Sequence, residues 1–282
     1  MEIKTLAIAG GGTMGAGIAQ VCAQAGYKAI LFDINSDILV RAEESIQQGL
    51  KKMIELGKFT QEKVDETLKN LSFINDINLM KADLIIEAIV EKIDVKISLF
   101  QQLMELNGAN TIYATNTSSI PITQIATKLK YPENVVGIHF FNPAQIMKLV
   151  EIIKGVKTDQ KIVEIAYKFV LDIGKQPVIS ADAPGFIVNR IARLYYVESL
   201  KALEENVSNI ETIDALLESS GFKMGPFKLM DLIGVDTNYS VTESQYHLFN
   251  HEARFRPSRI QKQKVDAGLH GKKTKEGFYK YN

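Results

Sequence analysis

Four histidines occur in the 282-residue chain: His139, His247, His251 and His270. Only His139 stands at the end of an apolar, strand-like run, at 135–141. An imidazole titrates near neutrality, so it can take the hydroxyl proton of a secondary alcohol while hydride leaves the carbon. The carboxyl ends of strands are where open α/β sheets build their sites. On the pattern alone, a satisfied core histidine is an equal reading. A catalytic histidine needs a carboxylate that orients it and steadies its protonated form. Glu151 lies 12 residues further on, in a second apolar run, where a lone buried carboxylate is costly without a partner.

The other chemistry-bearing pattern is at the start. Gly10, Gly12 and Gly15 form Gly-x-Gly-x-x-Gly, with Thr13 and Met14 in the same loop. Alone the pattern is weak. Here it follows a strand-like run at 5–9 and opens a helix-like stretch at 13–25, the setting in which it cradles a pyrophosphate. The first glycine permits a tight turn, the second lets backbone approach the phosphates, and the third lets helix and strand pack closely. The helix N-terminus offers N–H groups and partial positive charge. Asp33 lies 18 residues beyond Gly15, at the end of a second strand, where a carboxylate accepts from ribose hydroxyls and repels a 2′-phosphate. NAD is therefore expected over NADP, with Arg41 the one arginine close behind. The alternative is a glycine turn beside a surface aspartate.

Elements must hold these residues in place. Strand–helix–strand at 5–33 requires a parallel sheet, because a parallel pair needs a crossover. Ser36 is a candidate cap for a helix with Leu39, Ala42, Ile46, Leu50 and Met53 at helical spacing, ended by Gly57. A second helix at 61–70 follows, so 36–70 reads as an inserted helical pair. Further strands are expected at 71–74, 83–88, 111–115, 135–141, 149–153 and 176–180, with a last crossover helix at 159–173. From Pro184 the pattern is helical. Pro184 suits a first helical position. Ser208 and Glu211 have capping-box spacing. Pro226 and Ser258 open further helices, and Gly268 stops the last. The expected organisation is 1–183, an α/β Rossmann-type dinucleotide-binding domain with a mostly parallel sheet, and 184–282, an all-α C-terminal domain for substrate contact and dimerisation.

Composition narrows the class. Hydrophobic residues make up 46% and charged residues 23%, the profile of a globular protein. With 33 basic and 33 acidic residues the net charge is zero, so no bulk drive toward nucleic acid or an anionic membrane exists. One cysteine, Cys22, excludes an internal disulfide, and the start lacks a signal-like region, so a cytoplasmic location is expected. No metal-ligand spacing is seen. Apolar helices at 186–197 and 227–233 suggest a homodimer through the C-terminal domain.

Five motifs then occur in order: Asn116-Thr117-Ser118-Ser119; Gly137 to Pro143 with Met147 to Glu151; Pro184 to Arg190; Met224 to Phe227; and Gly271 to Thr274 with Gly277-Phe278-Tyr279. Together they resemble the L-3-hydroxyacyl-CoA dehydrogenase family, from residue 3 to the C-terminus. The resemblance implies reversible oxidation of an (S)-3-hydroxyacyl-CoA by NAD, with short 3-hydroxybutyryl-type substrates favoured. It implies a His139–Glu151 dyad, with Ser118 and Asn189 on the substrate oxygen. It implies cofactor contacts from Glu91, Lys96, Asn116, Asn142 and Lys273, and it sets CoA against the helical pair, where Lys51, Lys52 and Lys58 are candidates for its phosphates. Each of these charges has a solvated surface face as its alternative. The segment 252–257 looks more like relatives acting in aromatic-acid breakdown. Arg254 or Arg256 could meet a distal carboxylate of a 3-hydroxyadipyl-type group, or lie at a subunit interface. Two rival functions are a dehydrogenase of a free hydroxy acid using a lysine base, and a non-catalytic relative. The presence of Ser118, His139, Glu151 and Asn189 together speaks against both.

Overall fold

The computed structural model describes residues 2–282 and divides into two units, Met1–Ala183 and Pro184–Asn282. In the first unit, eight short runs rich in aliphatic residues form one sheet: β1 (Thr5–Ala9), β2 (Lys28–Phe32), β3 (Leu71–Ile74), β4 (Leu84–Glu87), β5 (Ile112–Thr115), β6 (Val135–Phe140), β7 (Leu149–Lys154) and β8 (Gln176–Ala181). Their order is β3-β2-β1-β4-β5-β6-β7-β8. Pairing is parallel from β3 through β6, and between β7 and β8, but antiparallel between β6 and β7. The strand order turns at β1, with β2 on one side and β4 on the other. Open α/β sheets place ligands in the crevice at such a switch point. This is the Rossmann-type α/β architecture.

Helices α1 (Thr13–Gln24), α2 (Ser36–Glu55), α3 (Gln61–Lys69), α4 (Ile93–Asn107), α5 (Ile122–Ala126) and α6 (Gln160–Asp172) connect the strands. The core is aliphatic, with Leu6, Ile8, Ile18, Leu31, Ile86, Ile138 and Ile152 wholly excluded from solvent. Ser36 is not the cap of α2. Asn35 is, with its side chain accepting from the Asp37 N–H at 2.9 Å. Both residue types cap well, and the chain enters extended one residue earlier than the apolar spacing suggests.

The second unit is helical: α7 (Val188–Glu204), α8 (Ile210–Ser219), α9 (Pro226–Ile233), α10 (Val235–Leu248) and α11 (Arg259–Asp266). Pro184 does not open α7. Gly185 and Phe186 both take positive φ, 74° and 50°, which a right-handed helix cannot contain, so the helix starts at Val188. The cap of α8 is Asn209, not Ser208, with Thr212 N–H donating to its side chain at 2.8 Å. Tyr196, Leu200, Phe227, Met230 and Val235 form the core. Two buried carboxylates organise the chain end. Asp231 accepts from the N–H groups of Phe278 and Tyr279 and from the Tyr281 hydroxyl, and Asp214 accepts from the Tyr279 hydroxyl. No helix among the described residues is long and apolar enough to cross a membrane.

Candidate active site

The glycine loop joins β1 to α1 at the switch point. Gly10 has φ 108°, and a Cβ there would stand 2.6 Å from the Ala88 carbonyl oxygen. A Cβ on Gly15 would stand 1.8 Å from the Gly10 carbonyl oxygen, so only glycine lets α1 pack on β1. Gly12 differs. Its φ is −66°, and an added Cβ would meet nothing within 4 Å. Neither the backbone nor the packing of this chain demands glycine there. A ligand lying close to the N-terminus of α1, such as a pyrophosphate, would give a reason for glycine at this position. Thr13 and Met14 form the first residues of that helix.

Asp33, just beyond β2, is held by two backbone donors, Gly11 N–H at 2.8 Å and Asn35 N–H at 2.9 Å. Its carboxylate therefore stands still beside the glycine loop. A cleft of ≈ 1030 Å³ is lined by Gly10, Gly12, Asp33, Ile34, Ile38, Val90, Val95 and Leu99. Its walls mix these apolar side chains with polar ones, Asn35, Asn75, Asp76, Asp94, Ser98 and Gln102, a lining that suits the adenosine half of a dinucleotide.

The second cluster lies at the ends of β4, β5 and β6. Glu87 closes β4, fully buried, and accepts from Lys96 Nζ, Thr115 Oγ1 and Ile89 N–H. Burial lifts its carboxyl above the ordinary range, although Lys96 opposes this. Lys96 is itself 1% exposed and reaches Glu91 at 3.1 Å. Glu91 Oε1 accepts from Thr117 Oγ1, from Ser118 N–H at 3.0 Å and from Ser119 Oγ at 3.3 Å. Burial opposes the Glu91 charge, but Lys96 and the Thr117 and Ser118 donors outweigh it and hold its carboxyl below the ordinary value. The loop after β5 is thus pinned by one carboxylate. Its far end is pinned by another: Asp182 accepts from the N–H groups of Ile122 and Thr123 at 2.7 and 2.8 Å.

Asn116 joins this loop to the next strand, its Oδ1 accepting the Phe140 N–H at 2.8 Å. His139 is therefore one residue from a bond that fixes the Ser118 loop. Across the antiparallel ladder, His139 is the direct partner of Glu151, and Nδ1 lies 2.8 Å from Oε2. Both are buried, at 3% and 0% exposure. A buried carboxylate bonded to one imidazole nitrogen fixes the tautomer and leaves the chemistry to Nε2. The β6–β7 loop bears Asn142, an exposed residue before a cis Pro143. Lys175 anchors this loop by donating to the Ala144 and Met147 carbonyls at 2.6 and 2.8 Å, and burial lowers its ammonium below the ordinary value.

A family model described as 3-hydroxyacyl-CoA dehydrogenase, NAD binding domain, matches residues 5–183, and one described as the C-terminal domain of the same enzyme matches 185–281. The chain belongs to the 3-hydroxyacyl-CoA dehydrogenase family. Its first unit is the NAD-binding domain of that family, and NAD is the cofactor. The 3-hydroxyadipyl-CoA dehydrogenase of Escherichia coli is 48% identical over 281 residues, which cover 99% of this chain and 59% of that protein. The 3-hydroxybutyryl-CoA dehydrogenase of Bradyrhizobium diazoefficiens is 38% identical, covering 99% and 96%. The crystal structure of (S)-3-hydroxybutyryl-CoA dehydrogenase from Ralstonia eutropha superposes with a TM-score of 0.95 at 34% identity, covering 100% of both chains. The chain thus spans about three-fifths of the first relative's length and nearly all of the others'.

The remaining family positions fall as follows. Lys51 and Lys52 are exposed near the C-terminal end of α2, Lys52 in its last turn. Lys58 lies past the helix, beyond Gly57 at φ 67°, so helical spacing does not align it with Lys51. Asn189 sits in the first turn of α7. Lys273 is paired with Asp236 at 2.7 Å. Arg254 is engaged by Glu252 at 2.8 Å and lies over the Phe255 ring at 4.7 Å, so its guanidinium already has partners. Sequence reasoning did not single out Glu87, Lys175 or Asp182. Each works through hydrogen bonds to residues 28 to 60 positions away, which no local pattern marks.

Proposed function

We propose that this protein oxidises (S)-3-hydroxyacyl-CoA thioesters to 3-ketoacyl-CoA and runs the reverse reduction, with His139 as acid/base. The buried His139–Glu151 pair is the observation that carries the reading. Bound NAD supplies the hydride acceptor. With Nδ1–H committed to Glu151, His139 Nε2 presents the lone pair that accepts the C3 hydroxyl proton as hydride departs, and it returns that proton in reduction. Glu151 compensates the imidazolium that forms, inside a site shielded from water, where the compensation counts most. Ser118 and Asn189 hold the substrate oxygen. Glu91 keeps the Ser118 backbone in place, and Lys96, itself held by Glu87, keeps Glu91 in place. Gly12 and the N-terminus of α1 receive the pyrophosphate, and Asp33 receives the ribose hydroxyls and discriminates against NADP. Glu91, Lys96, Asn116, Asn142 and Lys273 serve the nicotinamide side, directly or by fixing those that do. Lys51, Lys52 and Lys58 receive CoA phosphates.

The test is the oxidation of NADH by acetoacetyl-CoA, followed at 340 nm, with wild type and His139→Ala. Turnover by wild type and its loss by orders of magnitude in the variant, with NADH binding kept, supports the reading. Absence of wild-type turnover, or near-normal turnover of the variant, ends it.

A second reading concerns the acyl group. The relative of 48% identity named for 3-hydroxyadipyl-CoA supports a dicarboxylic substrate, whereas those named for 3-hydroxybutyryl-CoA support a four-carbon one. We also read the protein as a cytoplasmic homodimer formed through its helical unit. Exposed Ile191 and Leu194 on α7 and Leu232 and Ile233 on α9 support the dimer, and the lone reduced Cys22 supports the compartment.

A further inference from the structure

We propose that Arg193 receives the distal carboxylate of a dicarboxylic acyl group, making six-carbon ω-carboxyacyl-CoA thioesters the preferred substrates. The proposal rests on the reading above that Asn189 contacts the C3 oxygen.

Arg193 is 2% exposed. Its Nη1 donates to the Asn238 carbonyl and to Thr242 Oγ1, each at 2.9 Å, and both acceptors are neutral. The guanidinium lies over the Tyr196 ring at 5.2 Å. Among the described residues no carboxylate pairs with it, and its Nε has no hydrogen-bond partner. Burial lowers its pKa to about 10. Nearby on the same face of α10, three residues beyond Thr242, Gln245 is fully buried with both amide atoms unpartnered. Its Nε2 lies 2.0 Å from where a Gly185 Cβ would stand, against the turn that leads into α7. The α7–α10 interface thus holds a cation and an amide with no anion between them.

An uncompensated buried charge is unfavourable, and an apolar side chain would fill the same space more cheaply. A counter-charge from a ligand resolves the imbalance. Nε and the adjacent Nη form the side-on fork that binds a carboxylate through two parallel hydrogen bonds.

The distances agree. Arg193 is four residues after Asn189, so the two share one face of α7, about 6 Å apart along the axis. Long helical side chains lean toward the helix N-terminus, which carries the guanidinium back over the turn that bears Asn189. In a six-carbon dicarboxylic acyl group, three C–C bonds separate C3 from the terminal carboxyl carbon, a span of roughly 4 Å. One molecule can then hold Asn189 through its C3 oxygen and Arg193 through its far end. A four-carbon acyl group has nothing to offer Arg193.

The experiment compares kcat/KM for the CoA thioesters of 3-oxoadipic, 3-oxohexanoic and acetoacetic acids in wild type, Arg193→Leu and Arg193→Gln. In parallel, calorimetry measures binding of adipyl-CoA and hexanoyl-CoA, which cannot react. Wild type is expected to favour 3-oxoadipyl- over 3-oxohexanoyl-CoA at least tenfold, mainly through KM, and to bind adipyl-CoA at least tenfold more tightly than hexanoyl-CoA. Both ratios should collapse in both variants. Arg193→Gln leaves an uncharged hydrogen-bonding group in place of an apolar one beside the polar residues of α10, so it serves if Arg193→Leu folds poorly. Equal wild-type ratios, or ratios unchanged by the substitutions, overturn the assignment. Failure of wild type to reduce any of the three thioesters counts against the dehydrogenase reading, and the calorimetric ratio still decides the role of Arg193.

Discussion

His139 and Glu151 are direct cross-strand partners in the one antiparallel ladder of the sheet, with Nδ1 and Oε2 2.8 Å apart. Their alignment comes from strand register and not from a mobile loop, so the imidazole is held ready before substrate arrives. Glu151→Gln keeps an acceptor for Nδ1–H but removes the negative charge that steadies the imidazolium. The expected result is a fall in kcat of roughly 10²–10⁴-fold with the KM for NADH little changed. Steady-state kinetics with acetoacetyl-CoA checks it, and a kcat near wild type would remove Glu151 from the mechanism.

Gly12 and Gly15 make opposite predictions from the same motif. At Gly15 a methyl group collides with the Gly10 carbonyl, so Gly15→Ala must push α1 off β1 and lower the melting temperature clearly. At Gly12 a methyl group meets only open space, so Gly12→Ala should melt like wild type yet bind NADH at least tenfold more weakly. Differential scanning fluorimetry and fluorescence titration of NADH separate the two. A Gly12→Ala variant with unaltered affinity would move the pyrophosphate elsewhere.

Asp33 is braced by Gly11 and Asn35, so its preference among cofactors is built into fixed geometry. Asp33→Ala removes an acceptor for the ribose hydroxyls and the repulsion of a 2′-phosphate. The ratio of kcat/KM for NADH to that for NADPH should fall by roughly 10–100-fold, the scale of a hydrogen bond to a charged group. An unchanged ratio would mean that another residue sets the choice.

Much of this architecture was legible in the sequence. The glycine loop, the strands that flank it and the inserted helical pair follow from spacing alone, because aliphatic runs bounded by turns leave few alternatives. Strand direction does not follow. Nothing local in 149–154 tells that β7 runs against β6, yet that reversal is what sets Glu151 opposite His139. Helix α10 escapes a hydrophobic-pattern reading because its buried positions include the polar residues Asn238, Thr242 and Gln245, and Arg193 donates to the Asn238 carbonyl and to Thr242 Oγ1. The arginines 254 and 256 stand out in the sequence because the segment 252–257 looks like relatives acting in aromatic-acid breakdown. Arg193, hidden in an apolar helix, is the one that is buried without a counter-charge among the described residues. The caps at Asn35 and Asn209 lie one residue from the reading at α2 and one from that at α8, where two capping residues stand side by side.

Cys22 is wholly buried in α1, and burial pushes its thiol up to about 12. The thiolate is the reactive form, so folded protein at pH 8 should not react with Ellman's reagent, and one thiol should appear on denaturation. Rapid labelling of the folded protein would mean that α1 opens from the sheet.

Glu91 connects the loop bearing Ser118 to Lys96, and its carboxyl titrates below the ordinary value of 4.5 in the folded state. A depressed carboxyl binds protons less readily folded than unfolded. Its contribution to stability is therefore complete above the unfolded value and declines as pH falls through 4.5 and below. Glu91→Gln should lower the melting temperature at pH 7, and the difference from wild type should shrink as the pH is taken below about 4.5. The same substitution frees the loop, so kcat should fall at pH 7 while NADH affinity changes less. Melting curves from pH 3 to pH 8 read the first effect and kinetics the second. A stability difference that stays constant with pH would show that the Glu91 carboxylate is not what ties the loop, and that Thr117, Ser118 and Ser119 are held by their backbone alone.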